Sequence, residues 1–170
     1  MDDISLVLLD KKYSKELLKL WSDEDVMKYT YLDILNNEQQ VEYRIDFWLR
    51  EHTSKKTPNN FVIMYKDKVV GVAGFPIIKK NPFCCGMYYQ IMKDYQDKGI
   101  GTYIVGRMLE MIHDYYPVGK VIARCTASNI ASKKILLKNG FEFRGEEKEG
   151  FERNGVVDKV EKYVKTWNCE

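Results

Sequence analysis

The chain reads as a mixed α/β sheet with helices covering its faces, and three observations predict this. Strand-like and helix-like segments follow one another in the order strand, two helices, three strands, helix, strand, helix, two strands. A glycine-bearing turn, Gln96–Gly101, falls between a strand-like and a helix-like run. An Asn154-Gly155 pair, the strongest short-range hairpin signal, lies between the last two strand-like runs.

Taken in order, Ile4 to Leu9 is a first strand. Ser14 has the side chain to cap a helix carrying Leu17, Leu18 and Trp21. Asn37 opens a second helix with Val41, Ile45 and Trp48 on one face. The polar stretch from His52 to Asn60 is a loop. Phe61 to Tyr65 and Val69 to Ile78 form a hairpin around Lys66-Asp67-Lys68, and Met87 to Met92 is a third strand. A helix from Gly99 to Tyr115 follows, striped by Ile104, Met108, Met111 and Ile112, and Pro117 and Gly119 end it. Val121 to Thr126 is a strand. Asn129 opens a helix that stops at Asn139-Gly140, with Gly140 left-handed. Phe141 to Glu149 and Val156 to Thr166 are the last hairpin. Neither a repeat nor a linker divides residues 1–170, so they are read as a single domain.

Composition narrows the function classes. A net charge of +2, with Lys, Arg, Asp and Glu interleaved, argues against nucleic acid as the main partner, because such proteins concentrate positive charge on one face. No stretch approaches the roughly 20 apolar residues that cross a bilayer, so no membrane role is expected. The acidic start Met1-Asp2-Asp3 and the short apolar run after it do not read as an export signal. Cys84, Cys85, Cys125 and Cys169 are therefore expected to be reduced thiols in a cytoplasm. Their spacing is not that of a zinc site, and His52 and His113 stand far from any cysteine pair, so no metal is expected.

The turn Gln96-Asp97-Lys98-Gly99-Ile100-Gly101 is a candidate phosphate loop. A helix start presents unpaired N–H groups and the positive end of the helix dipole, which together bind phosphate oxygens. Gly99 and Gly101 leave room for a pyrophosphate, Lys98 adds charge, and Thr102 adds a hydroxyl. A dinucleotide fold would want a third glycine at Ile104 and an acidic residue where Cys125-Thr126 stand. A P-loop would want Gly-Lys-Ser/Thr, which is absent. A glycine-rich turn before an ordinary helix remains the alternative.

About thirty residues on, Asn129-x-x-Ser132 precedes Lys138-Asn139-Gly140-Phe141. Alone, Asn129 is a good helix cap and Ser132 a first-turn residue. Together with Gln-x-x-Gly-x-Gly, the pattern resembles the two inner motifs of the GCN5-related N-acetyltransferase (GNAT) superfamily. Asp23-Glu24-Asp25-Val26-Met27 and the late Asn154-Gly155-x-x-Asp158 are similar to segments of its RimJ/RimL-like branch. The resemblance implies a central, mostly antiparallel twisted sheet with splayed parallel strands and helices on both faces. It implies acetyl-CoA as co-substrate, its pyrophosphate on residues 96–102 and its pantetheine arm against the backbone of Ile91 and Met92. Asn129 would bond that arm, and Ser132 would lie near the thioester sulfur.

The implied activity is transfer of an acetyl group to a primary amine, either a protein N-terminus or a small-molecule amine, by direct attack. A non-catalytic acyl-CoA sensor is the alternative, and a homodimer is left open. A lysine-like amine costs roughly 4–5 kcal/mol to deprotonate at pH 7, against about 1.4 kcal/mol for an α-amine. Many relatives carry a glutamate base where Gly86 stands here, and a tyrosine acid where Ile135-Leu136 stand. Ser132 is then the acid candidate. Glu149 and Glu152, near the last hairpin's tip, are base candidates, their other reading being a solvated charged turn. Asp94 and Asp97 read as loop surface. Cys125 could in principle carry a covalent acetyl group, but free cysteine is usually a small buried hydrophobe. Tyr29 and Tyr31, beside an inter-helix loop, are the acceptor-pocket candidates, ahead of Trp48, Tyr88 and Tyr89.

Overall fold

The computed structural model describes residues 3–51 and 57–168. Most of the loop expected from His52 to Asn60 thus lies outside the described residues. The order is β1 (Ile4–Leu8), α1 (Ser14–Trp21), α2 (Glu24–Met27), α3 (Glu38–Glu51), β2 (Asn60–Tyr65), β3 (Lys68–Gly74), β4 (Ile77–Lys80), β5 (Phe83–Gly86), β6 (Tyr88–Ile91), α4 (Ile100–Tyr115), β7 (Gly119–Thr126), α5 (Ile130–Lys138), β8 (Glu142–Glu146), β9 (Phe151–Arg153), β10 (Val156–Asp158) and β11 (Val160–Trp167). Short 3₁₀ turns at Lys11–Tyr13 and Lys93–Tyr95 lead into α1 and follow β6.

The strands form two large sheets. One is antiparallel throughout, in the order β1-β2-β3-β6. The other runs β4-β5-β7-β11-β8, and its β5–β7 pair is the parallel one. Consecutive strands β5 and β6 belong to different sheets. Gly86 still pairs with Ile122 of β7, whereas Tyr88 already pairs with Gly74 of β3. The chain leaves one sheet for the other at Met87, and β6 and β7 diverge beyond it. Strand-edge groups facing that gap have no ladder partner, which makes the gap a place for a ligand's backbone-like polar groups.

Alternation along the strands supplies both faces. Val62 and Val72 point to one side and pack with Leu17, Leu20 and Trp21 of α1 and Val41 and Ile45 of α3. Phe61, Ile63 and Ala73 point to the other and join Ile100, Ile104, Met108 and Ile112 of α4 with Leu136 of α5. Each such fully buried aliphatic side chain contributes about 1.5–3 kcal/mol.

Several element readings need correction. Ser14 does not cap α1, whose N-cap position is Tyr13 with no side-chain cap; Ser14 donates its hydroxyl back to the Lys11 carbonyl, and Asp10 caps the preceding 3₁₀ turn, accepting from Lys12 N–H at 2.8 Å. Asn37 does cap α3, accepting from Gln40 N–H at 2.9 Å, and Gln40 reaches back to Asn36 N–H at 2.8 Å. The turn at Lys66 and Asp67 is left-handed at both residues, as a two-residue hairpin needs. The single run expected from Val69 to Ile78 breaks at Phe75-Pro76, and a second hairpin, β4–β5, follows it. Asn154-Gly155, both at positive φ, turn the small separate pair β9–β10, while β8 finds its partner in β11.

Candidate active site

The gap between β6 and β7 opens into a cleft of about 940 Å³, walled by the starts of α4 and α5 and by the α2–α3 loop. A long helix starts at its floor. Gly99 takes φ +77, a left-handed turn that glycine adopts without strain, and the first intrahelical bond runs from Tyr103 N–H to Gly99 O at 3.1 Å. The N–H groups of Gly99 to Thr102 therefore have no helical partner, and no side chain caps them. All four residues line the cleft. This uncapped start of a 16-residue helix fits a diphosphate.

The two glycines differ in purpose. A Cβ on Gly101 would stand 2.6 Å from Ile135 Cδ1, so a side chain there would have to displace the tip of Ile135 on α5. Asn139 reinforces that contact, donating to Thr102 O at 3.1 Å and Ile135 O at 2.9 Å. Gln96 ties the loop to the strand, its amide donating to Ile91 O at 2.9 Å. Met92 N–H is engaged with Val70 O at 2.8 Å, so by alternation the polar groups of Ile91 face away from β3, toward the gap.

The expected donor residues are only partly gathered. Ile91, Gln96, Asp97, Gly99, Ile100, Gly101, Thr102, Asn129 and Ser132 line the cleft. Met92 packs instead into the α1–α3 core. Lys98 also lies off the lining, its ammonium 5.3 Å from the Tyr95 ring. The cleft's cations are Lys28, Lys93, Arg124, Lys134 and Lys138, against Asp25 and Asp97. Asp25 is paired with Lys93, which holds its carboxyl below the ordinary range. Sequence reasoning missed Lys134; its signal is the i, i+4 spacing to Lys138, which puts both on one helix face.

At the start of α5, Asn129 Oδ1 accepts from Ser132 N–H at 3.1 Å, so that oxygen serves as a helix cap. The Ser132 hydroxyl meets the Tyr89 hydroxyl at 2.7 Å. Tyr88, its neighbour, faces the opposite way, donating to Asn60 Oδ1 at 2.8 Å and stacking edge-on with Trp48. Cys125 is buried at the end of β7. Burial and nearby Glu161 push its thiol up to about 11, and the Ser132 hydroxyl only partly counters them. At pH 7 it is a thiol and a poor nucleophile.

Beyond Cys125 lies a second cavity of about 800 Å³, and the two share Tyr29, Tyr31, Arg124 and Cys125. Its rim carries Glu146, Glu147 and Glu149 beside Arg124, Lys148 and Lys162. Glu147 is paired with Arg124 at 2.8 Å and Glu146 with Lys159 at 2.9 Å. Glu149 lines this cavity, whereas Glu152 lies exposed on β9 and lines neither cavity. The β9–β10 hairpin is held over the α2–α3 loop: Arg153 donates to Thr30 O at 2.6 Å and Leu32 O at 2.9 Å. Tyr31 meets Phe151 edge-on at 4.7 Å. Nothing in the sequence marks Arg153 for this task, since its partners are backbone carbonyls more than a hundred residues away.

Among the described residues, no group of His, Cys, Asp and Glu could hold a metal ion, and no helix is long and apolar enough to cross a membrane. Comparison with known proteins agrees with this architecture. No curated protein matches the chain in sequence. Its structure is similar to that of the microcin C7 self-immunity acetyltransferase MccE in complex with acetyl-CoA and AMP: TM-score 0.86, 24% identity, 98% of this chain and 93% of that one. It is similar to RimL, a ribosomal L7/L12 α-N-protein acetyltransferase in complex with coenzyme A: TM-score 0.86, 16% identity, 100% and 97% covered. A spermidine N-acetyltransferase from Vibrio cholerae, with coenzyme A and spermine, gives TM-score 0.84 at 16% identity, 98% and 96% covered. The family model described as an acetyltransferase (GNAT) domain matches residues 4–142. The chain belongs to the GNAT acetyltransferases and is an acetyl-CoA-dependent N-acetyltransferase.

Proposed function

We propose that the chain is RimJ/RimL-like and acetylates a primary amine that titrates near pH 8, the α-amine of a protein N-terminus or of a small compound whose adjacent carboxyl is tied up as an amide or ester, by direct attack on acetyl-CoA. The observation that carries this reading is the meeting of two cavities at Tyr29, Tyr31, Arg124 and Cys125. Acetyl-CoA enters from the cleft, with its diphosphate on residues 99–102 and Lys134 and Lys138 alongside. The acceptor enters from the second cavity, between Tyr29 and Tyr31.

The charge around that cavity favours an α-amine. Its three carboxylates are matched by three cations, which gives no excess to select a polycation. Gly86 supplies no base, and two of the carboxylates are engaged in ion pairs. Glu149 remains to receive the proton. An acceptor needing only about 1.4 kcal/mol of deprotonation suits so weak a provision. Ser132 then hydrogen-bonds the departing sulfur. Cys125 stays uncharged and takes no covalent part.

The test is release of free thiol from acetyl-CoA with a panel of amines, read alongside mass gain on the acceptor. Peptides and amino compounds with free α-amines should be turned over in preference to spermidine and lysine side chains. Turnover confined to polyamines would overturn the α-amine reading. Tight acetyl-CoA binding without thiol release from any amine would instead make the protein an acyl-CoA sensor.

A further inference from the structure

The superfamily resemblance leaves α5 without its acid, because Ile135 packs on Gly101 and Leu136 is buried in the core. The hydroxyl that reaches this region comes from the sheet instead. Tyr89 lies on the open edge of β6 and lines the cleft, and its oxygen stands 2.7 Å from Ser132 Oγ.

We propose that Tyr89 is the positioning residue for Ser132: its phenol donates to Ser132 Oγ and thereby turns the serine's own hydrogen toward the leaving sulfur. The inference rests on the reading of Ser132 given above.

The direction of the bond follows from the alternatives open to each atom. Either hydroxyl has a hydrogen for this contact, and burial, partly countered by the bond to Ser132, keeps the Tyr89 phenol protonated and able to donate. The Ser132 carbonyl is a poorer acceptor for it, at 3.4 Å and already inside the first turn of α5. With one lone pair of Oγ occupied by the phenol, the serine O–H turns to the other acceptors within its reach, which are Cys125 Sγ and, when acetyl-CoA is bound, the leaving sulfur. The Asn129 cap on Ser132 N–H fixes the backbone from which it points. In the reaction, the amine nitrogen bonds to the carbonyl carbon and the C–S bond breaks with its electron pair going to sulfur. The amine's surplus proton leaves through Glu149 to water. The Ser132 hydrogen bond stabilises the sulfur as its charge develops, and no proton need leave Tyr89.

The test is a double-mutant cycle of Tyr89→Phe and Ser132→Ala, with kcat and acetyl-CoA affinity measured for each. Tyr89→Phe alone should lower kcat about tenfold, while the Kd for acetyl-CoA stays within about twofold. In the Ser132→Ala background the same change should alter kcat by less than about twofold, since nothing remains to be positioned. A wild-type rate in Tyr89→Phe, or effects that multiply, would overturn the proposal. A merely structural loss, seen as a lower melting temperature, would act in both backgrounds and would also count against it. The cycle is repeated on the slow transfer of the acetyl group to water, which releases the same thiolate. A wild type that acetylates no amine thus sinks the acceptor reading while the Tyr89 comparison still reads out.

Discussion

Glu161 on β11 stands directly across from Cys125 on β7, and its carboxylate is held by Lys133 at 2.9 Å and by the Tyr163 hydroxyl at 2.6 Å. Lys133 belongs to α5 and also reaches the Ala127 carbonyl at 3.4 Å. This cluster fastens the turn that presents Asn129 and Ser132 to the sheet beneath it.

Glu161→Gln is expected to cost about 1–3 kcal/mol at pH 7. This is below the range for a fully buried pair because the Lys133 side chain keeps 24% of its surface in water. Burial alone would raise the Glu161 carboxyl, but the donors from Tyr163 and Lys133 outweigh it and leave the group below its ordinary range. The charged form's contribution is therefore full above the unfolded value of about 4.3 and is lost as pH falls through the folded one. Denaturant melts between about pH 6 and 3 should show a shallower acid limb for Glu161→Gln than for the wild type.

Cys125→Ala should leave kcat within about twofold of the wild type. Because the Cys125 thiol sits near 11, alkylation by iodoacetamide at this residue should be slow at pH 7 and accelerate as pH rises toward that value. A rate collapse in Cys125→Ala, checked by acetyl transfer assays, would point to an acetyl-cysteine intermediate.

Lys134 and Lys138 lie on one face of α5 and line the cleft that begins at the uncapped helix start. Lys134→Ala and Lys138→Ala should each weaken acetyl-CoA binding about 3–10-fold, as expected for partly solvated charges near phosphate. Calorimetry at two salt concentrations checks this, and the losses should shrink at high salt. Acetyl-pantetheine, which lacks both the diphosphate and the 3′-phosphate, should bind the variants and the wild type alike.

Arg153→Met removes two charge-assisted bonds to Thr30 O and Leu32 O while keeping most of the aliphatic stem. Such bonds contribute about 1.5–3 kcal/mol each when buried and less where water competes. The acceptor KM should rise about tenfold, with the acetyl-CoA Kd unchanged, as steady-state kinetics would show.

Where local chemistry decides the conformation, the sequence was legible. Asn37, Gly140 and Asn154-Gly155 announce a cap, a stop and a turn through their own side chains or lack of one. The parts that escaped depend on distant partners. Strand β5 is four residues long and becomes a strand through β4 and β7. Gly101 reads as room for a ligand, and nothing in the sequence signals that Ile135, thirty-four positions away, also packs against it. Alternation says that Tyr88 and Tyr89 diverge, yet only the packing of α5 decides which of them meets Ser132. Arg153 was illegible for the same reason, since backbone carbonyls carry no signature of their own.

The β9–β10 ribbon pairs with neither large sheet. A longer or re-sequenced tip would therefore leave both ladders in register, and its effect would reach the cleft only through the grip of Arg153 on Thr30 and Leu32.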